Sequence, residues 1–405
     1  MTTIDDRQPP ISGAWSRAAR GAGLLSDDGQ VRPTIFAEMS ALAASTGSLN
    51  LGQGFPDEDG PVEVTEAARA AISEGHNQYP PGRGIPDLLS AISEHQQRFY
   101  GITIDPDTEV LVTTGATEAL AATLLALLEP GDEVVTLEPY YDAYGALIRL
   151  AGATHRTVAL RHPHYLPSHA DLTAAITDRT RLILLNTPHN PCGSVMPVET
   201  LEHIVALATA NDAIIVTDEV YEHLTFGVPH IPIASLSGAA ERTVTISSGG
   251  KTFNTTGWKV GWLSAPSPII TAIQSVKQFL TYTSGAPFQP AMATGLRLPD
   301  EFFTGAADTL RAKRDLLSDG LRAAGFDVST PSGGYFVIAD AAPLGFTDAV
   351  DLCRKLPELA GVVGVPVAAF CSEDRAPEYS SLVRFAYCKR TEVLEEAAMR
   401  LSRLG

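Results

Sequence analysis

Three side chains in this 405-residue sequence carry charge where charge needs a partner. Lys251 lies in 246-ISSGGKTFNTTGWKVGW-262, Asp218 ends the apolar run 213-AIIVTD-218, and Arg384 stands inside 382-LVRFAY-387. A lysine amine can attack a carbonyl carbon and move a proton. A carboxylate at the end of a buried strand is costly unless a cation faces it, although an aspartate there can also serve as the N-cap of a following helix. A guanidinium among apolar residues is satisfied by a carboxylate gripped through two parallel hydrogen bonds.

Gly250-Lys251-Thr252 also matches the tail of a nucleotide phosphate loop. Such a loop needs a glycine six residues before the lysine, and that position is Thr245. The residues before the lysine, 242-RTVTIS-247, are β-branched and suit a buried strand. No glycine-rich arc is left to wrap a triphosphate, so the lysine must have another task.

These residues need elements to position them. From residue 109 onward short apolar runs alternate with helical patterns: 109-EVLVTT-114, the helix 116-ATEALAATLLALL-128, a Pro130-Gly131-Asp132 turn, and 133-EVVTLE-138. Further runs follow at 181-RLILLN-186, 213-AIIVTD-218, 242-RTVTIS-247 and 260-VGWLSA-265. Several are apolar throughout, as parallel strands covered on both faces are. The pattern predicts an α/β fold: a large doubly wound, mostly parallel domain over residues 50–297. After residue 298 a charged helix, 306-AADTLRAKRDLLSDGLRAAG-325, precedes 335-YFVIAD-340 and 382-LVRFAY-387. Residues 298–405 together with 31–49 read as a smaller α+β domain, and residues 1–30 as a flexible arm. Special residues gather after the strands: Gly115 and Thr117, Tyr140 and Tyr141, Asn186 and Asn190, Asp218 and Tyr221, Ser248 and Lys251. Open α/β sheets bind ligands at that edge.

Composition sets outer limits. A formal net charge of −18 argues against non-specific binding to nucleic acid or anionic membranes. The four cysteines, Cys192, Cys353, Cys371 and Cys388, lack metal-site spacing, and a chain of this size needs no disulfide staples, so a reduced cytoplasmic protein is expected. The N-terminal stretch 1-MTTIDDRQPPISGAW-15 has no basic segment followed by an apolar run, and no segment reaches the length of a membrane span. His162 and His164 in 161-RHPHYLP-167 have no further ligands near them in sequence, and no metal is expected.

The segments 52-GQGFPD-57, 78-QYPPGRG-84, 115-GATEAL-120, 185-LNTPHNPCG-193, 216-VTDEVYEHL-224, 248-SGGKTFNTTGWKVGW-262 and 382-LVRFAYCK-389 resemble, in order and across nearly the whole chain, the motifs of class I aminotransferases of the fold-type-I pyridoxal-phosphate family. The likeness is greatest to the group of kynurenine and methionine aminotransferases, cysteine-conjugate β-lyases and N-succinyl-diaminopimelate aminotransferases. It implies pyridoxal 5'-phosphate as cofactor, an L-amino acid and a 2-oxo acid as substrates, and a homodimer with shared active sites. Lys251 would form the Schiff base and shuttle the α-proton, and Asp218 would face the ring nitrogen. Asn190 and Tyr221 would reach the phenolic oxygen, and Tyr141 would stack on the ring. The phosphate would rest on Gly115, Ala116 and Thr117 with Ser248 and Lys259, and with Tyr79 from the neighbouring subunit. Arg384, with Gly54 and Asn186, would hold the substrate carboxylate. Outside that context Gly-Ala-Thr is equally a capped helix start and Tyr141 an ordinary core tyrosine. His189 and Gly250 depart from the family pattern. No arginine stands out for a distal carboxylate, and Phe36, Tyr141 and Phe288 are candidates for an apolar wall. The same machinery would serve a β- or γ-eliminating lyase.

Overall fold

The computed structural model describes residues 13–26 and 29–404. Its strands are β1 (Leu49–Asn50), β2 (Val110–Thr114), β3 (Glu133–Glu138), β4 (Thr154–Ala159), β5 (Thr180–Asn186), β6 (Ile214–Asp218), β7 (Thr243–Ser248), β8 (Val260–Ser264), β9 (Asp327–Ser329), β10 (Phe336–Asp340), β11 (Val362–Val363), β12 (Val365–Pro366) and β13 (Leu382–Ala386). Seven of them form one sheet in the order β2-β8-β7-β6-β5-β3-β4. All its neighbours are parallel except β8, which runs against both β2 and β7. The apolar runs over 181–186 and 213–218 lie in its interior, where helices cover both faces and every inward position must be dry.

The edge strand β4, 154-THRTVA-159, has no apolar run in sequence; its first four residues are half-buried and only Val158 and Ala159 are buried. It pairs with β3 alone and therefore tolerates polar residues. A second, antiparallel sheet has the order β12-β13-β10-β9, and Arg384 on β13 lies opposite Ile338 of β10 and Val365 of β12. The short parallel pair β1–β11 joins residues before the large sheet to residues after it.

The helices used below are α1 (Trp15–Gly21), α2 (Ile35–Thr46), α3 (Val62–Ser73), α4 (Pro86–Tyr100), α5 (Gly115–Leu127) and α6 (Asp142–Leu150). Helix α5 is rich in Ala and Leu on most of its surface and is largely buried against the large sheet, as an all-round apolar helix must be. Composition alone marks the N-terminal segment as a flexible arm, but within the described residues α1 is a helix packed on α6. The contact needs two glycines: a Cβ on Gly21 would stand 2.2 Å from the Gly145 carbonyl oxygen, and one on Gly145 would stand 2.4 Å from that of Gly21. Gly145→Ala is therefore expected to destabilise by about 1–3 kcal/mol, the usual cost of overfilling a close contact, and to expose α1 to proteases. Unchanged proteolysis and an unchanged melting temperature would contradict this docking.

Candidate active site

The carboxyl ends of β2, β3, β5, β6 and β7 share one rim with the amino end of β8, because β8 is antiparallel to its neighbours. A cavity of about 240 Å³ opens on that rim. Gly115, Ala116, Thr117, Tyr141, Asn186, Asn190, Asp218, Tyr221, Ser248, Lys251 and Lys259 all line it. The strand-end residues singled out in the sequence thus converge, although they span more than a hundred positions.

At one end of the cavity lies the N-terminus of α5. Gly115 has φ +69°, a conformation glycine adopts without strain, and the first N–H groups of the helix have no partner within it. Lys259 Nζ stands 3.2 Å from Thr117 Oγ1 and adds positive charge to the helix dipole. This end is built for an anion. Gly250, also on the lining, follows the same spatial logic: a Cβ there would come within 3.1 Å of the Thr256 backbone, so a serine would press on its neighbour.

Asp218 is buried at the cavity floor. The Tyr144 hydroxyl donates to its Oδ2 at 2.7 Å. Burial pushes the carboxyl up to about 6, against the opposing pull of the Tyr144 hydrogen bond and the Val220 N–H. No lysine or arginine lies within ion-pairing distance of it among the described residues. The sequence around Tyr144 gives no sign of this contact. Tyr144 follows Tyr141 by three positions, and α6 begins between them, so the two rings meet edge to face at 5.6 Å.

Lys251 projects from the helical turn Gly249–Thr252 that follows β7. Its Nζ donates to the Gly54 carbonyl at 3.2 Å, and the Tyr335 hydroxyl donates to its carbonyl oxygen at 2.5 Å. Burial is the main influence on the amine and lowers its proton affinity, which favours the neutral, nucleophilic form. Gly54 itself has no room for a side chain, since a Cβ would meet the Phe336 ring at 2.2 Å.

Arg384 is buried beside the cavity. It donates to Asn190 Oδ1 at 3.1 Å and to the Gly52 carbonyl at 2.7 Å, while its Nε has no partner. The guanidinium faces the rings of Phe336, Phe370 and Phe36 at 3.9, 4.5 and 5.4 Å. Burial brings it down to about 9. A carboxylate would both satisfy the free Nε–H and restore the charge balance.

The remaining candidates fall in several places. Asn186 lines the cavity, where its amide donates to the Asp218 carbonyl at 2.8 Å and its oxygen accepts the Asn190 N–H at 2.7 Å. These bonds tie the β5 and β6 ends together. Tyr79, expected to act on a neighbouring subunit, lies outside this chain's cavity and is 84% exposed. Phe36 borders Arg384, whereas Phe288 stacks on Trp258 at 4.7 Å and does not line the cavity. His189 is buried away from the lining, and burial takes its ring down to about 3.

A rim cavity that brings together a buried amine, an anion cradle and an unbalanced carboxylate defines an enzyme that handles an amino group. The chain belongs to the family described as aminotransferase class I and II, which it matches over residues 46–401, and it is an enzyme of amino-group transfer. It is 48% identical to a probable N-succinyldiaminopimelate aminotransferase of Mycobacterium tuberculosis, over 92% of this chain and 96% of that one. It is 38% identical to the methionine aminotransferase of Escherichia coli, over 93% and 97%. The solved structure of the mycobacterial N-succinyldiaminopimelate aminotransferase superposes with a TM-score of 0.90, covering 92% of this chain and 97% of that one. No helix of the described residues is long and apolar enough to cross a membrane.

Proposed function

We propose that the chain is a pyridoxal-phosphate-dependent aminotransferase that moves an amino group from an L-amino acid to a 2-oxo acid in two half-reactions. The observation that carries this reading is that one small cavity holds both an anion cradle and, at its floor, the uncompensated Asp218 carboxylate, with Lys251 beside them. The residues fit the cofactor. Its phosphate suits Gly115, Ala116, Thr117, Ser248 and Lys259, and its protonated ring nitrogen suits Asp218. Tyr141 supports the ring face, and Asn190 and Tyr221 suit the phenolic oxygen. When bound, pyridoxal phosphate supplies an aldehyde that holds the amino group and a ring that accepts electrons.

The chain's own groups do the rest. Arg384 orients the substrate by its α-carboxylate, within aromatic rings that keep water out. Lys251, its proton affinity lowered by burial, takes the α-proton and returns it. Asp218, fixed by Tyr144 and Asn186, holds negative charge where a cation is needed. Tyr79 and Phe279, 84% and 88% exposed, belong to the face that a second copy covers, which makes the working unit a homodimer. No arginine is among the cavity-lining residues, which fits the uncharged side chains of methionine and kynurenine, the donors named for two of the relatives, better than aspartate.

The test mixes holoprotein with methionine, kynurenine, N-succinyl-diaminopimelate and aspartate, and follows the bound chromophore together with released oxo acid. The first three are expected to yield oxo acid and aspartate little. Pyruvate plus ammonia from a cysteine conjugate, without any oxo acid from these donors, would replace the reading with an eliminating lyase.

A further inference from the structure

Behind the turn that carries Asp218 and Tyr221 lies a cluster that amino-group transfer does not use. His95 of α4, Glu222 and His223 bring one ligand-capable atom each to within 4.8 Å of one another. His95 Nε2 and His223 Nε2 are 2.6 Å apart. Glu222 is held from two sides, by the Ser247 hydroxyl donating to its Oε1 at 2.5 Å and by a hydrogen bond with the Tyr100 side chain. Aromatic rings surround the group, with Phe303 4.3 Å and Phe99 4.7 Å from the His223 ring.

The charge in this cluster does not balance. Glu219 and Glu222 are both buried, and among the described residues neither has a lysine or arginine within ion-pairing distance; Glu219 meets His230 at 2.7 Å and accepts the Thr217 hydroxyl at 3.1 Å. His230 is buried as well, and its Nδ1 has no partner. Two buried carboxyls with no lysine or arginine in ion-pairing contact are a costly arrangement, and Arg98 acts on the cluster without ion-pairing to either.

We propose that His95, His223 and Glu222 form a binding site for a divalent transition-metal ion, with zinc as the occupant suited to two imidazoles and one carboxylate. One divalent charge cancels the two carboxylates. Tetrahedral zinc with bonds of about 2.0–2.1 Å to nitrogen sets two ligand nitrogens roughly 3.3 Å apart. The rings must therefore separate by less than about 1 Å, and His223, half-buried where His95 is buried, is the ring nearer solvent. Ser247 and Tyr100 then act as the outer hydrogen bonds that orient the carboxylate ligand. The ion pins α4 to the turn after β6. It lies outside the cavity and leaves the amino-group chemistry to the residues already described.

The test uses tag-free, full-length holoprotein, stripped with a chelator and dialysed against equimolar zinc. One zinc per chain is expected to remain. His95→Ala and His223→Gln are each expected to lose it, the second at the half-buried position where misfolding is least expected. A histidine pair far from the cluster in sequence, exposed His169 and half-buried His203, stacks at 4.3 Å, so the double variant His169→Ala/His203→Ala is expected to keep the metal. Absence of zinc from the parent protein, its retention in folded His223→Gln, or its loss in the surface double variant would each overturn the assignment.

Discussion

Lys251→Ala is expected to lower amino-group transfer by at least roughly four orders of magnitude, the upper range for removing one proton-transferring group. Of the two amines lining the cavity, Lys259 is turned to Thr117 at the anion cradle, so it cannot take over. Lys251 is placed by its backbone: the turn after β7 and the Tyr335 hydroxyl on its carbonyl fix the root of the side chain, and Gly54 receives its tip. The truncation removes one hydrogen bond to a carbonyl and no packed ring, so the fold should remain. Lys251→Arg separates charge from nucleophilicity, since arginine keeps the charge but stays protonated; it too is expected to be inactive. Borohydride should fix a chromophore in the parent and in neither variant. More than about one per cent of parental turnover in folded Lys251→Ala would refute the role, since it falls short of even the low end of a proton-transferring group's contribution.

The second large effect falls on Asp218. Asp218→Asn keeps the shape and still accepts the Tyr144 hydrogen bond, but it removes the negative charge. Turnover is expected to fall roughly a hundred- to ten-thousand-fold, the range for losing a buried electrostatic or proton-handling group. A second readout needs no activity. In the cofactor-free protein the folded carboxyl sits at about 6, raised mainly by burial from an ordinary 3.8. A raised acid binds its proton more tightly when folded, so its contribution is present at low pH and is lost as pH rises from near 4 through 6. Two units correspond to about 3 kcal/mol at full effect. Denaturant unfolding of cofactor-free parent and Asp218→Asn at several pH values should show the parent losing stability relative to the variant across that window. Parallel curves would refute the raised proton affinity of the Asp218 carboxyl.

Much of this site is readable from sequence because a parallel sheet converts strand ends into neighbours. Asn190, Asp218, Ser248 and Lys251 each follow an apolar run, and placing those runs side by side assembles the cavity. Tyr144 was harder to see: its ring is as buried as any core tyrosine, and only its hydroxyl contact with Asp218 distinguishes it. Tyr335 follows a Gly-Gly turn that marks a strand start, but nothing in its neighbours indicates contact with residue 251. Asn186 sits on the rim as expected, yet its direction is set by β5–β6 pairing, which periodicity does not resolve. His95 and Glu222 are brought together only by the packing of α4 against the turn after β6, a juxtaposition with no local signature. The α1–α6 contact depends on two glycines whose role appears only when both backbones are in place.

The position of β2 has a consequence for biogenesis. Its only partner in the large sheet is β8, at residues 260–264, so the strand that leads into Gly115 has no ladder to join until about 150 further residues have been made. A nascent chain emerging from the ribosome can pair β3 with β4 and β5 early, but β2 must wait for a late arrival, which is a long loop to close. Completion of the anion cradle at Gly115 is thereby deferred until the polypeptide is two-thirds synthesised, and truncated products ending before β8 should leave the translation machinery with that cradle unformed.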